Sequence, residues 1–192
     1  MKSLKIMASV LVLAGTGTLA LGQGVILWDE SVNGELSQGL TPPTSLSPVR
    51  PGTNSVIGAT ESVPFAYGWI TYGDEFLLTV PAGLAISAVY FTTDQPNVWA
   101  WIGDSSYSTR LGWVQNPTNG ELLAQWSLAS IPAGTYGMYM ENHNEGPVAS
   151  VADYRLDFVT EPAPEPGAVA LLLFGLGGWV ALGRRFRNRP EA

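Results

Sequence analysis

The 192-residue sequence contains no cysteine. That excludes disulfides, thiolate nucleophiles and cysteine-ligated metals together, so the fold must be held by packing alone, which is feasible at this length. There is one histidine, His143, too few for a His-Glu-x-x-His or multi-histidine zinc pattern. A Gly-x-Ser-x-Gly elbow is also missing. Positive charge is scarce where it would matter: residues 23–163 hold no lysine and only Arg50, Arg110 and Arg155, against fourteen carboxylates, for a net charge of −11. The whole-chain value of −7 hides this, because the other basic residues sit at the two ends. Such a surface repels phosphate backbones and argues against nucleic acid as a partner, while cations and neutral sugars remain compatible with it.

What the chain does have begins at its ends. Lys2 and Lys5 precede an uncharged run from Ile6 to Leu21, and Ala20-Leu21-Gly22 supplies small residues at the minus-three and minus-one positions. These are the marks of a secretory signal peptide. Residues 1–22 are expected to be removed by signal peptidase, leaving a mature start at Gln23. At the other end, Gly167 to Gly183 is a charge-free run of 17 residues followed by Arg184, Arg185, Arg187 and Arg189. As a helix it would rise about 25 Å, just enough to span a bilayer core of ~30 Å. The arginines would stay cytoplasmic, which places everything before Pro164 across the membrane.

Pro164-Glu165-Pro166, the apolar run 167–183 and the arginine cluster, in that order, resemble the PEP-CTERM sorting signal that exosortases process in bacteria that make exopolysaccharide. The resemblance covers residues 164–192, with Pro164, Glu165, Pro166, Arg184, Arg185 and Arg187 as its motif. It implies an exosortase as processing partner, a transient stay in the inner membrane, and delivery to the cell surface or extracellular matrix. A plain C-terminal membrane anchor is the competing reading of the same residues.

The segment between, 23–163, has the length of one domain. Val25 to Trp28 is a short apolar strand candidate, and residues 31–60, rich in Pro, Ser and Gly, read as a long surface loop with a brief strand near Val56. From Phe65 onward, short β-rich runs alternate with Gly, Pro, Asn and Asp. Strands are expected near 65–71, 75–80, 85–92, 97–102, 110–114, 122–128, 135–141 and 154–160. No stretch sustains a helical period. The expected fold is therefore all-β, an antiparallel β-sandwich or jelly roll. In Tyr154-Arg155-Leu156-Asp157-Phe158 the alternation assigns one face to the core. Ile131-Pro132-Ala133-Gly134, the strand after it and Tyr154 to Phe158 resemble the closing strands of pre-peptidase C-terminal-like β-sandwiches. That resemblance implies an accessory module of the kind that often binds calcium or carbohydrate.

Catalysis finds little footing. His143 lies in Glu141-Asn142-His143-Asn144-Glu145, which reads as an exposed hairpin loop. The fourteen carboxylates leave open a secreted hydrolase with an unrecognised acidic site, and this is the alternative to a non-enzymatic role. Glu141, Asn142, Asn144, Glu145 and Asp153 form the densest group of oxygen ligands, but lack EF-hand spacing; no metal or cofactor is assigned. The most informative residues are Trp99 and Trp101. Two apart on a strand, they share a face, and Val98, Ala100 and Ile102 take the other. If the aliphatic set packs inward, the tryptophans form a strip on which sugar rings can lie. The expected role is structural or carbohydrate-binding, in an exopolysaccharide matrix.

Overall fold

Residues 24–38, 42–65, 68–144 and 147–163 are described by a computed structural model. In chain order the elements are β1 (Val25–Asp29), α1 (Glu30–Asn33), β2 (Ser37–Gln38), β3 (Thr44–Ser45), β4 (Gly52–Phe65), β5 (Gly68–Tyr72), β6 (Asp74–Val80) and β7 (Leu84–Thr93). They continue with β8 (Val98–Asp104), β9 (Arg110–Gln115), β10 (Gly120–Glu121), α2 (Leu122–Gln125), β11 (Gly134–Asn142) and β12 (Ser150–Pro162). The strands form two six-stranded sheets. The first runs β1-β4-β12-β7-β10, with β5 also on β4; the second runs β2-β6-β11-β8-β9, with β3 also on β6. The chain is an all-β sandwich, as its turn spacing predicts.

The core lies between the sheets and is built by alternation. On β12, Tyr154, Leu156 and Phe158 are buried while Arg155 is exposed. On β6, Phe76, Leu78 and Val80 point inward, and on β8 Val98, Ala100 and Ile102 do the same. Each large aliphatic or aromatic side chain so buried contributes on the order of 1.5–3 kcal/mol.

Four expectations need correction. Residues 31–60 are not one long loop: they hold most of α1, β2, β3 and the first part of β4, a strand of 14 residues. Its buried polar residues masked its period. Asn54, Thr60 and Ser62 lie within the sandwich, while Ser55 is buried on the opposite face with its hydroxyl donating to Asp157, and the Asn54 amide closes on the Arg50 backbone at 2.8 Å in both directions. The strand expected over 65–71 is a hairpin instead, because β4 ends at Phe65 and pairs there with Gly68. The strand expected over 122–128 begins as α2. The Glu121 carboxylate accepts from the Leu123 and Ala124 N–H groups at 2.8 and 2.7 Å, which caps one helical turn and buries Leu122, Leu123 and Trp126. Pairing is also not antiparallel throughout, since β1–β4 and β3–β6 are parallel.

Among the described residues, no helix is long and apolar enough to cross a membrane. The expected signal peptide, 1–22, and the expected sorting segment, 164–192, lie outside the described residues.

Candidate functional site

Sheet register assembles the aromatic face. With Val98, Ala100 and Ile102 inward, Trp99 and Trp101 lie half-buried on the outer side of the second sheet. Trp101 sits between Tyr139 of β11 and Trp113 of β9, and Trp99 between Glu141 and Gln115. Two cross-strand rows result: Tyr139, Trp101, Trp113 and, beside it, Glu141, Trp99, Gln115.

Within the first row, the Trp101 and Tyr139 rings are 5.7 Å apart, and Tyr107 meets Trp101 edge-on at 5.2 Å. The Arg110 guanidinium lies 5.8 Å from the Trp101 ring and 5.6 Å from that of Trp113, a cation–π bracket over both. Trp113 is 41% exposed and Leu111 45%. Burial, and then the Glu141 charge, raises the Tyr139 hydroxyl well above its ordinary pKa. Glycines make the rings' flat placement possible. A Cβ on Gly103 would come within 2.7 Å of the Trp101 ring, and one on Gly137 within 2.9 Å of Tyr107. Tyr107 is held down by its hydroxyl, which donates to the Phe76 carbonyl at 3.0 Å.

His143 is neither remote from the tryptophans nor a bare loop residue. Its ring stacks on Trp99 with centroids 4.0 Å apart and planes 19° off parallel, its backbone N–H donates to the Asn97 carbonyl at 2.7 Å, and its Nδ1 is 3.9 Å from a Glu141 oxygen. Trp99, His143, Asn97, Gln115, Asn116 and Asn144 line an open hollow of about 380 Å³. An indole beside carboxamides is suited to sugars: the ring offers apolar surface and each amide offers a donor and an acceptor to neighbouring hydroxyls. Trp113, Gln115 and Asn116 were not singled out from the sequence. Trp113 and Gln115 alternate like Trp99 and Trp101, but the register that sets them opposite one another is not local information.

The oxygen-rich group around 141–153 does not converge. Glu141 is on the outer face, while Asn142 points into the core and donates to the Ser150 carbonyl at 3.0 Å. Asp153 is on β12, where its backbone N–H donates to Asp94 at 2.9 Å; Glu145 lies outside the described residues. Carboxylates do converge elsewhere: oxygens of Glu30, Glu35 and Asp74 lie within 4.8 Å of one another. Glu30 opens α1 and accepts from the Leu36 and Ala59 N–H groups at 2.8 and 2.6 Å. Asp74 begins β6 in phase with the inward Phe76 and Leu78, so it points into the sandwich and is 0% exposed. That burial, followed by the Glu30 charge, pushes its carboxyl up to about 8. An acid in step with an inward apolar set was the available sequence signal, and it went unused.

No protein family's sequence model matches the chain, and no curated protein matches it. Among solved structures, the chain is similar to the pre-peptidase C-terminal domain of collagenase from Bacillus anthracis. The identity is 10% and the TM-score 0.37, with 64% of this chain and all (100%) of that one covered. A likeness this distant does not extend to function.

Proposed function

We propose that the chain is an exported, non-enzymatic module that holds neutral polysaccharide on the outer face of its second sheet, in the cell envelope or an exopolysaccharide matrix. The observation that carries the binding role is the outward pair Trp99 and Trp101, extended by Trp113 and bordered by the amide-lined hollow. A net charge of −11 over residues 23–163 favours neutral over anionic glycans. In this reading residues 1–22 direct export, 164–192 form a PEP-CTERM signal whose segment 167–183 pauses in the inner membrane, and an exosortase completes delivery. The supports are the lysine-led apolar start and the ordered Pro-Glu-Pro, apolar run and arginines.

The test is affinity electrophoresis of the purified protein through gels containing dextran, glucomannan or hydroxyethylcellulose. Retardation is expected in at least one gel. Trp113→Ala should weaken it about fivefold, the equivalent of roughly 1 kcal/mol for a lost stacking partner. Because Trp113 is on edge strand β9 and substantially exposed, its melting temperature should hardly move. Trp99→Ala with Trp101→Ala should abolish retardation. Absence of retardation in every gel, or an unaltered Trp113→Ala protein, would sink the binding role.

A further inference from the structure

The hollow beside Trp99 does not end at the edge of its sheet. Asn116, on its rim, also lines a second hollow of about 420 Å³, walled by the β7–β8 connection at Gln95 and Pro96 and by the β9–β10 connection at Pro117, Thr118 and Asn119. Thr93 and Asp94 belong in turn both to that hollow and to a third, of about 350 Å³, which opens on the outer face of the first sheet beside Ile57, Thr92 and Arg155. Shared walls make the three one trough. It climbs the outer face of the second sheet, crosses the end of the sandwich and descends on the first sheet. Given the strand rise from Trp101 to Asn97 and the ~10 Å between packed sheets, the path from the Trp101 row to Thr93 is roughly 25 Å long.

The lining is chemically consistent and its walls are fixed. In a domain rich in carboxylates, the first two hollows are lined by the carboxamides of Gln95, Asn97, Gln115, Asn116, Asn119 and Asn144, with Asp94 as the single acid. That acid is engaged, since its carboxylate accepts from the Asp153 N–H at 2.9 Å. Asn116 stands where the two hollows meet and has a left-handed backbone, φ 53°, a conformation that asparagine visits more readily than most residues. Two amide clamps hold the β9–β10 connection. Asn119 exchanges hydrogen bonds with the Thr93 backbone at 2.9 and 3.2 Å, and Gln125 of α2 does the same with the Thr118 backbone at 3.2 and 3.3 Å. Walls set before a ligand arrives spare it the cost of ordering them.

We propose that one neutral glycan chain lies along this whole trough, from the Trp101 and Trp113 row over the end of the sandwich to Thr92, so that the protein recognises an internal stretch of several sugars rather than one ring or a chain end. Each carboxamide offers a donor and an acceptor to sugar hydroxyls and no charge with which to select an ion. Both ends of the trough open on an outer sheet face, which leaves a polymer free to continue in either direction. The inference rests on the polysaccharide reading above and adds to it a second group of contacts, Gln95 and Thr118, that the aromatic face does not supply. Ring stacking holds the chain on the second sheet, and amide and hydroxyl contacts hold it at the crossing.

The experiment is calorimetric titration of the purified full-length protein with isomaltose and isomaltohexaose, mannobiose and mannohexaose, and cellobiose and cellohexaose, which match the dextran, glucomannan and hydroxyethylcellulose gels. In the series whose polymer retards the protein, the hexasaccharide should bind at least about tenfold tighter than the disaccharide, because only the longer chain reaches both the rings and the crossing. Gln95→Ala with Thr118→Ala should cut that advantage about fivefold. The double variant should melt like the parent, since the clamps on this connection use the Thr93 and Thr118 backbones and the side chains of Asn119 and Gln125. Equal affinity for the two lengths, or an undiminished advantage in the double variant, would overturn the crossing while leaving the aromatic face as the glycan site. Failure of every sugar to bind, together with free migration in every gel, would overturn the polysaccharide reading and the crossing with it.

Discussion

Glu121 is a severe test of how the two short elements on the edge of the first sheet are held. One of its oxygens accepts from the Val89 N–H of β7 at 3.1 Å and from the Leu123 N–H at 2.8 Å; the other accepts from the Ala124 N–H at 2.7 Å. A single carboxylate thus caps α2 and supplies β7 with an acceptor. Glu121→Ala removes a helix cap worth about 1 kcal/mol and a charge-assisted bond to a partly buried strand N–H worth about 1.5–3 kcal/mol. The sum, roughly 2–4 kcal/mol, corresponds to a fall in melting temperature of roughly 8–15 °C for a domain of this size. Glu121→Gln keeps one acceptor oxygen and should lose about half as much. Urea unfolding followed by tryptophan fluorescence reads both, because Trp126 directly follows α2 and its indole N–H donates to the Ala100 carbonyl at 3.2 Å. A Glu121→Ala protein within 0.5 kcal/mol of the parent, a margin typical of featureless surface sites, would show that the carboxylate's three contacts do not act together.

Asp74 should make stability fall as pH rises. Its carboxyl, ordinarily near 3.8, is held protonated up to about 8 in the fold, so its contribution is complete below about pH 4 and is lost as pH climbs through 8, with a slope of up to about 1.4 kcal/mol per pH unit. Asp74→Asn should flatten that slope, and an unaltered slope in the variant would assign it to other groups. For the tail, mass spectrometry in a host carrying a matching exosortase should find the chain without residues 167–192. Recovery of full-length, membrane-held protein alone would favour the plain anchor.

Legibility in the sequence followed the location of the polar atoms. Where apolar and charged residues alternate strictly, as in Tyr154 to Phe158, the strand and its inward face could be read directly. In β4 the inward positions are mostly Gly, Asn, Thr and Ser while the outward ones include Ile57, Ala59 and Val63, so the binary pattern vanished even though two strand edges stabilise it. Leu122-Leu123-Ala124-Gln125 has a composition that serves a strand or a helical turn, and the choice falls to Glu121 just before it. Trp99 and Trp101 could be placed on a common face from spacing alone. What they face, Tyr139, Trp113 and Gln115, is fixed by cross-strand register, which joins residues far apart in sequence. The acidic cluster is a product of topology for the same reason.

The register of β12 also gives the molecule two unlike poles. Its end, at Thr160, lies beside Gly52, the residue that starts β4, and the start of β1 lies beside Asn54, so the described chain enters and leaves at one pole. Its beginning, Ser150, lies beside Ser62, whose hydroxyl donates to the Asn144 carbonyl at 2.9 Å, so the hollow next to Trp99 is at the opposite pole. A strand of 13 residues separates them by roughly 40 Å at ~3.3 Å per residue. If the proposed C-terminal tether exists, the protein would stand on end, with the hollow beside Trp99 at the tip farthest from the bilayer and the attachment point where it cannot obstruct a ligand there.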